Sequence, residues 1–272
     1  SGTAQPRIAE AVALIEKVMA HSPQHPQASH LYIHLQELPE PEKAEAAADR
    51  LRDTGPAALG HLVHMPSHIY YRIGRYADSL AANRAAVAAD EAYLARASDD
   101  AMVRFGYYPH NVHFLLTSAQ MMGDVGTVMS QTARLQSILD VETGRELPWV
   151  QAIYAAPYFA QAQYGSSAAV LALTGKTHPL EYVDAMRRYA RAVAYADQRD
   201  EAGFASEMAV LERLAGSEGV TGMEAAGFPA PLIVRLSAEV AEGRMALSQG
   251  RSDEAIAHFT KAAEMQKAIP YM

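Results

Sequence analysis

The sequence predicts an all-helical fold built from helical hairpins. Three observations carry this expectation. Half of the 272 residues are hydrophobic and Ala is abundant, while strand-forming residues gather only in short clusters. A good helix former used that freely argues for helices. Glycines recur between stretches of helical period, at Gly74, Gly123 and Gly250, where a turn needs a residue that tolerates left-handed backbone. Pro270 closes the last of these stretches, and a proline stops a helix because it lacks the N–H and clashes with the preceding turn.

Taken in order, Ala9 to Met19 reads as a lone first helix. The stretch "PQASHLYIHLQELPEPEKAEAAADRLRD" then gives a helix, a Pro-rich turn at Pro39 to Pro41, and a second helix. A helix ends at Gly74, and Tyr76, Leu80 and Ala86 continue at helical spacing beyond it. Gly123 plays the same part ahead of "DVGTVMSQTARLQSIL", and Gly165 ends "LPWVQAIYAAPYFAQAQY". Tyr182 to Ala215 forms a weaker hairpin. The clearest one runs from Leu236 to Pro270, with small residues along its first helix and Ala255, Phe259 and Ala262 along its second. Gly165 to Pro179 and Gly216 to Pro231 are rich in Gly, Ser or Pro and read as loops.

The Leu236–Pro270 hairpin resembles a tetratricopeptide repeat (TPR), two antiparallel helices in about 34 residues. On that template the chain reads as one right-handed α-solenoid over residues 1–272, of roughly five or six hairpins. Neither end looks like a cap, so the expectation is a segment of a longer protein.

Composition removes several function classes. The net charge is −8 with no basic run, which disfavours nucleic acid, since phosphate binding needs clustered basic groups. There is no cysteine, so disulfides and thiolate metal sites are excluded. No apolar run approaches the roughly 18–20 residues of a membrane helix. Cytoplasm and periplasm are both compatible.

The informative residues are histidines. Nine of the eleven lie in the first 113 residues, and the His-rich part spans residues 21–123. Seven form three groups: His30 and His34; His61, His64 and His68; His110 and His113. Helical residues advance by about 100° each, so His61, His64 and His68 fall within a sector of about 60°. The i, i+4 and i, i+3 spacings of the other groups also place each on one face, and Glu37 extends the face of His30 and His34. Pro66 predicts a kink or a helix restart between His64 and His68. Pro109 falls at the start of its helix, and Pro157 inside another. His21, His25, His178 and His258 are expected in surface or capping roles, and Trp149 in a structural one.

Counted back from the turns, the three groups take matching places on the first helices of neighbouring hairpins. In the TPR family those places line the concave groove, so the resemblance implies histidine presented to one groove from three helices. Packed helices lie about 8–10 Å apart, close enough for imidazoles of two to meet at one ion. The string "HPQASHLYIHLQE … HLVHMPSHIYYRIGRYADSLAANRAAVAADEAYL … YYPHNVHFL" is also similar to a group of bacterial TPR proteins with this His-rich signature. Its members are longer, with further repeats on both sides, and many begin with a signal sequence. The resemblance implies no reaction.

The expected function is therefore metal binding in a histidine-lined groove, with a metalloenzyme as one form of it. His30, His34, His64, His68 and His113 are the first ligands expected, with His61 and His110 behind them and Glu37 as a carboxylate. All-imidazole ligation suits Zn²⁺, Cu²⁺, Ni²⁺ or Fe²⁺ and not Ca²⁺ or Mg²⁺. The motif HExxH is absent, so that enzyme class is not implied. The alternative is a metal-free interaction module. It would hold a peptide or small anion through imidazole N–H groups, Arg72 and Arg104, with Tyr71 at the border of the groove.

Overall fold

The computed structural model describes residues 7–172 and 177–269. Every regular element among them is helical, as the composition predicts. No described helix is long and apolar enough to cross a membrane. The chain divides into two compact units, Ser1–Arg134 and Leu135–Met272, and the His-rich part lies within the first.

The first unit opens with α1 (Ile8–His21) and α2 (Pro26–Gln36). His25 caps α2, its Nδ1 accepting from the Ala28 N–H at 3.3 Å. A short 3₁₀ turn (Pro41–Ala44) leads into α3 (Glu45–Thr54). Next come α4 (Gly60–His64) and α5 (Pro66–Arg72), separated at Met65. The restart expected from Pro66 is therefore present, at Pro66 itself, two residues after His64. Gly74 takes φ +81° and reverses the chain into α6 (Tyr76–Leu94). A five-residue π-helix (Val103–Tyr107) runs directly into α7 (Tyr108–Met122), with Pro109 in its first turn. Gly123, at φ +70°, turns into α8 (Val125–Ile138).

The core of this unit is Ile33, Ala47, Ala48, Leu51, Met65, Ile69 and Tyr70, all nearly inaccessible. Arg75 ties two hairpins together. Its Nη1 lies 2.9 Å from Glu45 and 3.1 Å from Asp49, and its guanidinium sits 4.3 Å from the Tyr70 ring centroid. Helix α6 is unusual in its buried face. Ser79, Asn83 and Asp90 are all buried there, interleaved with Leu80, Ala86 and Val87.

The second unit holds α9 (Val141–Glu146), α10 (Val150–Tyr164), α11 (Ser167–Leu171), α12 (Glu181–Gln198), α13 (Glu201–Ala215), α14 (Glu218–Ala225), α15 (Ala230–Ser248) and α16 (Ser252–Lys267). Pro157 lies inside α10, which continues through it. Two expectations need correction. The stretches read as loops, 165–179 and 216–231, contain the short helices α11 and α14. The first helix of the last hairpin begins at Ala230, not near Leu236, because Pro229 and Pro231 are tolerated at a helix start, where the N–H groups lack intrahelical partners anyway. Pro270 lies outside the described residues. Tyr182, Met186, Phe204, Leu211, Phe228 and Val234 lead the core here. Asp184, Arg187, Arg188, Glu207 and Arg191 form a buried ionic network between α12 and α13.

Candidate metal centre

Four helices of the first unit bring six histidines together, in two groups of three. His30 and His34 of α2 meet His61 of α4, and His64 of α4 meets His68 of α5 and His110 of α7. In each group one nitrogen from each ring lies within 4.8 Å of the others. His30 Nε2 and His61 Nε2 are 3.2 Å apart. His64 Nε2 is 2.8 Å from His68 Nε2 and 3.1 Å from His110 Nε2. A tetrahedral ion with Zn–N bonds of about 2.0–2.1 Å separates its ligand nitrogens by about 3.3 Å. The rings are thus gathered near the spacing that one ion needs.

The hydrogen-bond network sets the tautomer of His64. Asn83 Nδ2 donates to the Ser79 carbonyl at 2.8 Å, which turns Asn83 Oδ1 toward His64 Nδ1 at 2.6 Å. An amide oxygen only accepts, so His64 Nδ1 carries the proton and Nε2 presents a lone pair. That lone pair faces two other Nε2 atoms and can accept from only one of them. His68 sharpens the conflict. Its Nδ1 lies 2.8 Å from Glu37 Oε2, outside good hydrogen-bond alignment, and a carboxylate there favours the proton on Nδ1. His68 Nε2 is then a second lone pair, pointed at the first. Placing the proton on Nε2 instead would leave a lone pair against the carboxylate. A neutral His68 therefore leaves one contact unsatisfied in either arrangement, and a metal ion at the triad, or a second proton on His68, relieves it. An imidazole with its second nitrogen held by an amide or a carboxylate is also the usual support of a metal-bound histidine.

Burial lowers the pKa of His30, His34, His61, His64 and His110, which favours the neutral form that a ligand needs. His64 is fully buried and its pKa lies well below the usual imidazole value. Desolvation is the main cause and the neighbouring His68 and His110 the next. Desolvation pushes His110 down to about 3 and His61 down to about 4, again with other histidines adding to it. His30 is lowered by burial and by His34. His34 is lowered by burial, with Glu37 acting the other way. Phe114 packs its ring 4.9 Å from His64, 4.7 Å from His68 and 4.9 Å from His110, so an apolar wall backs the second group. The two groups adjoin, with His34 and His68 centroids 6.1 Å apart and His61 and His64 6.5 Å. His61 Nδ1, His68 Nδ1 and Glu37 Oε2 are buried without a hydrogen bond. The donor set fits a late first-row transition ion.

The sequence ranked these residues differently. His61 and His110, placed second, complete the two triads. His113, placed among the first ligands, falls in neither, and burial alone lowers its pKa to about 4. Glu37 stands behind His68. Arg72 Nε donates to the Glu37 carbonyl at 3.0 Å. Arg104 is exposed and donates to the Ser98 carbonyl at 3.2 Å. Tyr71 is half-buried with its ring 6.3 Å from Phe114. His178 accepts from the Leu180 N–H at the start of α12, His258 pairs with Glu239, and His21 is exposed at the end of α1. Trp149 lies at the start of α10, 48% exposed. Asn83 went unnoticed in the sequence. Its signal is the spacing of Ser79, Asn83 and Asp90, a polar line along an otherwise apolar helical face. No family model matches the chain, and no curated protein matches it.

Proposed function

We propose that the protein binds transition-metal ions through two neighbouring histidine triads, His30–His34–His61 and His64–His68–His110, with Glu37 and Asn83 orienting the ligands. The observation that carries this is the lone pair of His64, fixed by Asn83 and crowded by two further imidazole nitrogens. Zn²⁺, Cu²⁺, Ni²⁺ and Fe²⁺ all suit such a set. Three imidazoles leave a coordination position free, and an ion so held can activate water or polarise a substrate oxygen. A metalloenzyme is the form of this function that the open position favours. Hydrolase and oxidase screens of metal-loaded protein that stay flat would count against it.

The deciding measurement is metal content by inductively coupled plasma mass spectrometry, on protein made without a His-tag or nickel column. One or two equivalents of a transition metal, lost in the His64→Ala/His68→Ala double variant, are expected. Protein that stays metal-free and refuses added Zn²⁺ and Cu²⁺ would sink the reading and leave the metal-free interaction module in its place.

We also read the helical hairpins as TPR-like repeats of one right-handed solenoid, related to the bacterial His-rich group. The left-handed glycines between α5 and α6, α7 and α8, and α15 and α16 support this. An experimental structure in which each hairpin packs as a TPR helix pair is the expected result, and hairpins of another packing geometry would overturn it.

A further inference from the structure

A cavity of about 240 Å³ lies beside the first triad, within the first unit. Its wall is mostly apolar. Leu59 and Val103 supply aliphatic surface, and Tyr93 and Tyr107 supply rings at a rim that is open to solvent. Tyr93 gives its hydroxyl to Asp100 at 2.8 Å, and Asp100 also accepts from the Val103 N–H at 3.1 Å. The ring is therefore what Tyr93 offers the cavity, and its hydroxyl bond braces the π-helix that forms the opposite wall. Short π segments inside helical runs recur at functional sites.

Two polar side chains interrupt this wall, His61 and Asp90. Asp90 is only 4% exposed. Its Oδ2 accepts from Asn111 Nδ2 at 2.7 Å. Its Oδ1 takes no hydrogen bond among the described residues, and no Lys or Arg pairs with it there. Gly60 lets this oxygen approach the backbone, since a Cβ at that position would lie 1.9 Å from it. A buried carboxylate without a cation is costly. The cavity places such a group at the back of an apolar slot edged by two aromatic rings. That combination recognises an organic ammonium group, with the carboxylate taking the charge and the rings covering the apolar body. The volume is below the range of about 300–1,000 Å³ typical of larger ligands, so a one-ring molecule is the right size.

We infer that this cavity binds a small organic amine, its ammonium on Asp90 and its apolar body between Leu59, Val103 and the two tyrosines. The site does not depend on the metal reading. His61 belongs to both, so a bound amine would lie beside whatever the first triad holds.

The test is isothermal titration calorimetry of the full chain, stripped with chelator, against benzylamine, benzyl alcohol and benzoate. Benzylamine is expected to bind at one site, about tenfold or more tighter than benzyl alcohol, the difference one charge-assisted hydrogen bond supplies. Benzoate is expected not to bind. Asp90→Asn keeps an oxygen for Asn111 and should erase the preference for the amine. Val103→Trp should fill the slot and abolish binding, with circular dichroism unchanged in both. Absence of benzylamine binding, equal binding of the alcohol, or a preference that survives in Asp90→Asn would overturn the proposal. Should Asp90→Asn fail to fold, Val103→Trp and the wild-type comparison of amine with alcohol decide it. Because the protein is metal-free throughout, a negative result leaves the metal measurement untouched.

Discussion

Asn83 decides which nitrogen of His64 faces its neighbours, although it touches no proposed ion. Groups that orient a ligand imidazole in this way commonly govern affinity by about 10–100-fold. Asn83→Ala is therefore expected to weaken binding at the second triad by about that factor, read by competition with a chromogenic chelator, and an unchanged affinity would contradict the role. The histidines also set a pH dependence for the metal-free protein. His61, His110 and His113 are pushed down to about 4, 3 and 4 in the fold, against about 6.5 unfolded. Between those values the unfolded chain holds more protons, so acid favours unfolding. Asp90, pushed up to about 6 by burial, acts in the opposite direction, as does Glu242, while the lowered His30, His34 and His64 add to the first effect. Stability should hold above about pH 7 and fall from about pH 6.5 toward pH 4; equal urea midpoints at pH 7.5 and pH 5 would contradict this. At this scale the sequence exposes much of the site. The shared face of His61, His64 and His68 follows from helical period alone. Their division between two triads does not, because it depends on which helix stands opposite each ring. His61 meets α2, and His64 meets α7. His113 shares a face with His110 by spacing, yet falls in neither triad.

Helices α4 and α5 are one run in the sequence and two in the fold. Pro66 cannot donate a backbone bond, so the helical ladder is interrupted at Met65, between His64 and His68, and the His68 N–H donates to the Met65 carbonyl three residues back. Replacing Pro66 by Ala restores the donor and favours one continuous helix. The expected result is weaker metal binding at the second triad with the far-ultraviolet spectrum retained or slightly more helical; undiminished affinity would show that the break serves packing only. The second unit offers a test of a different kind. Glu207 holds Arg188 and Arg191 at 3.0 and 2.7 Å in the interior of α12 and α13. Removing Glu207 leaves three arginines of the buried network sharing Asp184 as its one carboxylate, so Glu207→Ala should cost about 3–5 kcal/mol in urea unfolding. A cost below about 1 kcal/mol would mean that water already reaches the network. The legibility of elements follows the same physics. Gly74, Gly123 and Gly250 are readable as turns because few residues other than glycine adopt left-handed backbone freely. The turn between α12 and α13 hides because Arg199 adopts φ +58°, which composition gives no reason to expect. Helix α14 hides because its glycines, Gly219 and Gly222, suggest a loop, yet Val220 and Met223 are buried.

All six triad histidines lie in the first of the two compact units. An ion that binds only the folded state stabilises it by about 2.7 kcal/mol at a free concentration of 100 times Kd. Hydrogen exchange on the whole chain should then slow in α2, α4, α5 and α7 and remain unchanged in α12, α13, α15 and α16; protection spread evenly over both units would contradict a local site. The division at residue 134 is not legible in the sequence, since the helical pattern of "DVGTVMSQTARLQSIL" runs straight across it. Helix α6 links the parts of the first unit in a way no single contact suggests. Its Ser79 meets Ser118 at 2.8 Å, its Asn83 holds His64, and its Asp90 takes Asn111 and lines the cavity. It is a rod gripped at three points, two of which answer to different guests. If filling the second triad shifts this rod, the cavity's affinity must change, and a guest in the cavity must then alter the triad's affinity by the same factor. Measuring either affinity with the other site full and empty would give the size of that exchange between Asn83 and Asp90 along α6.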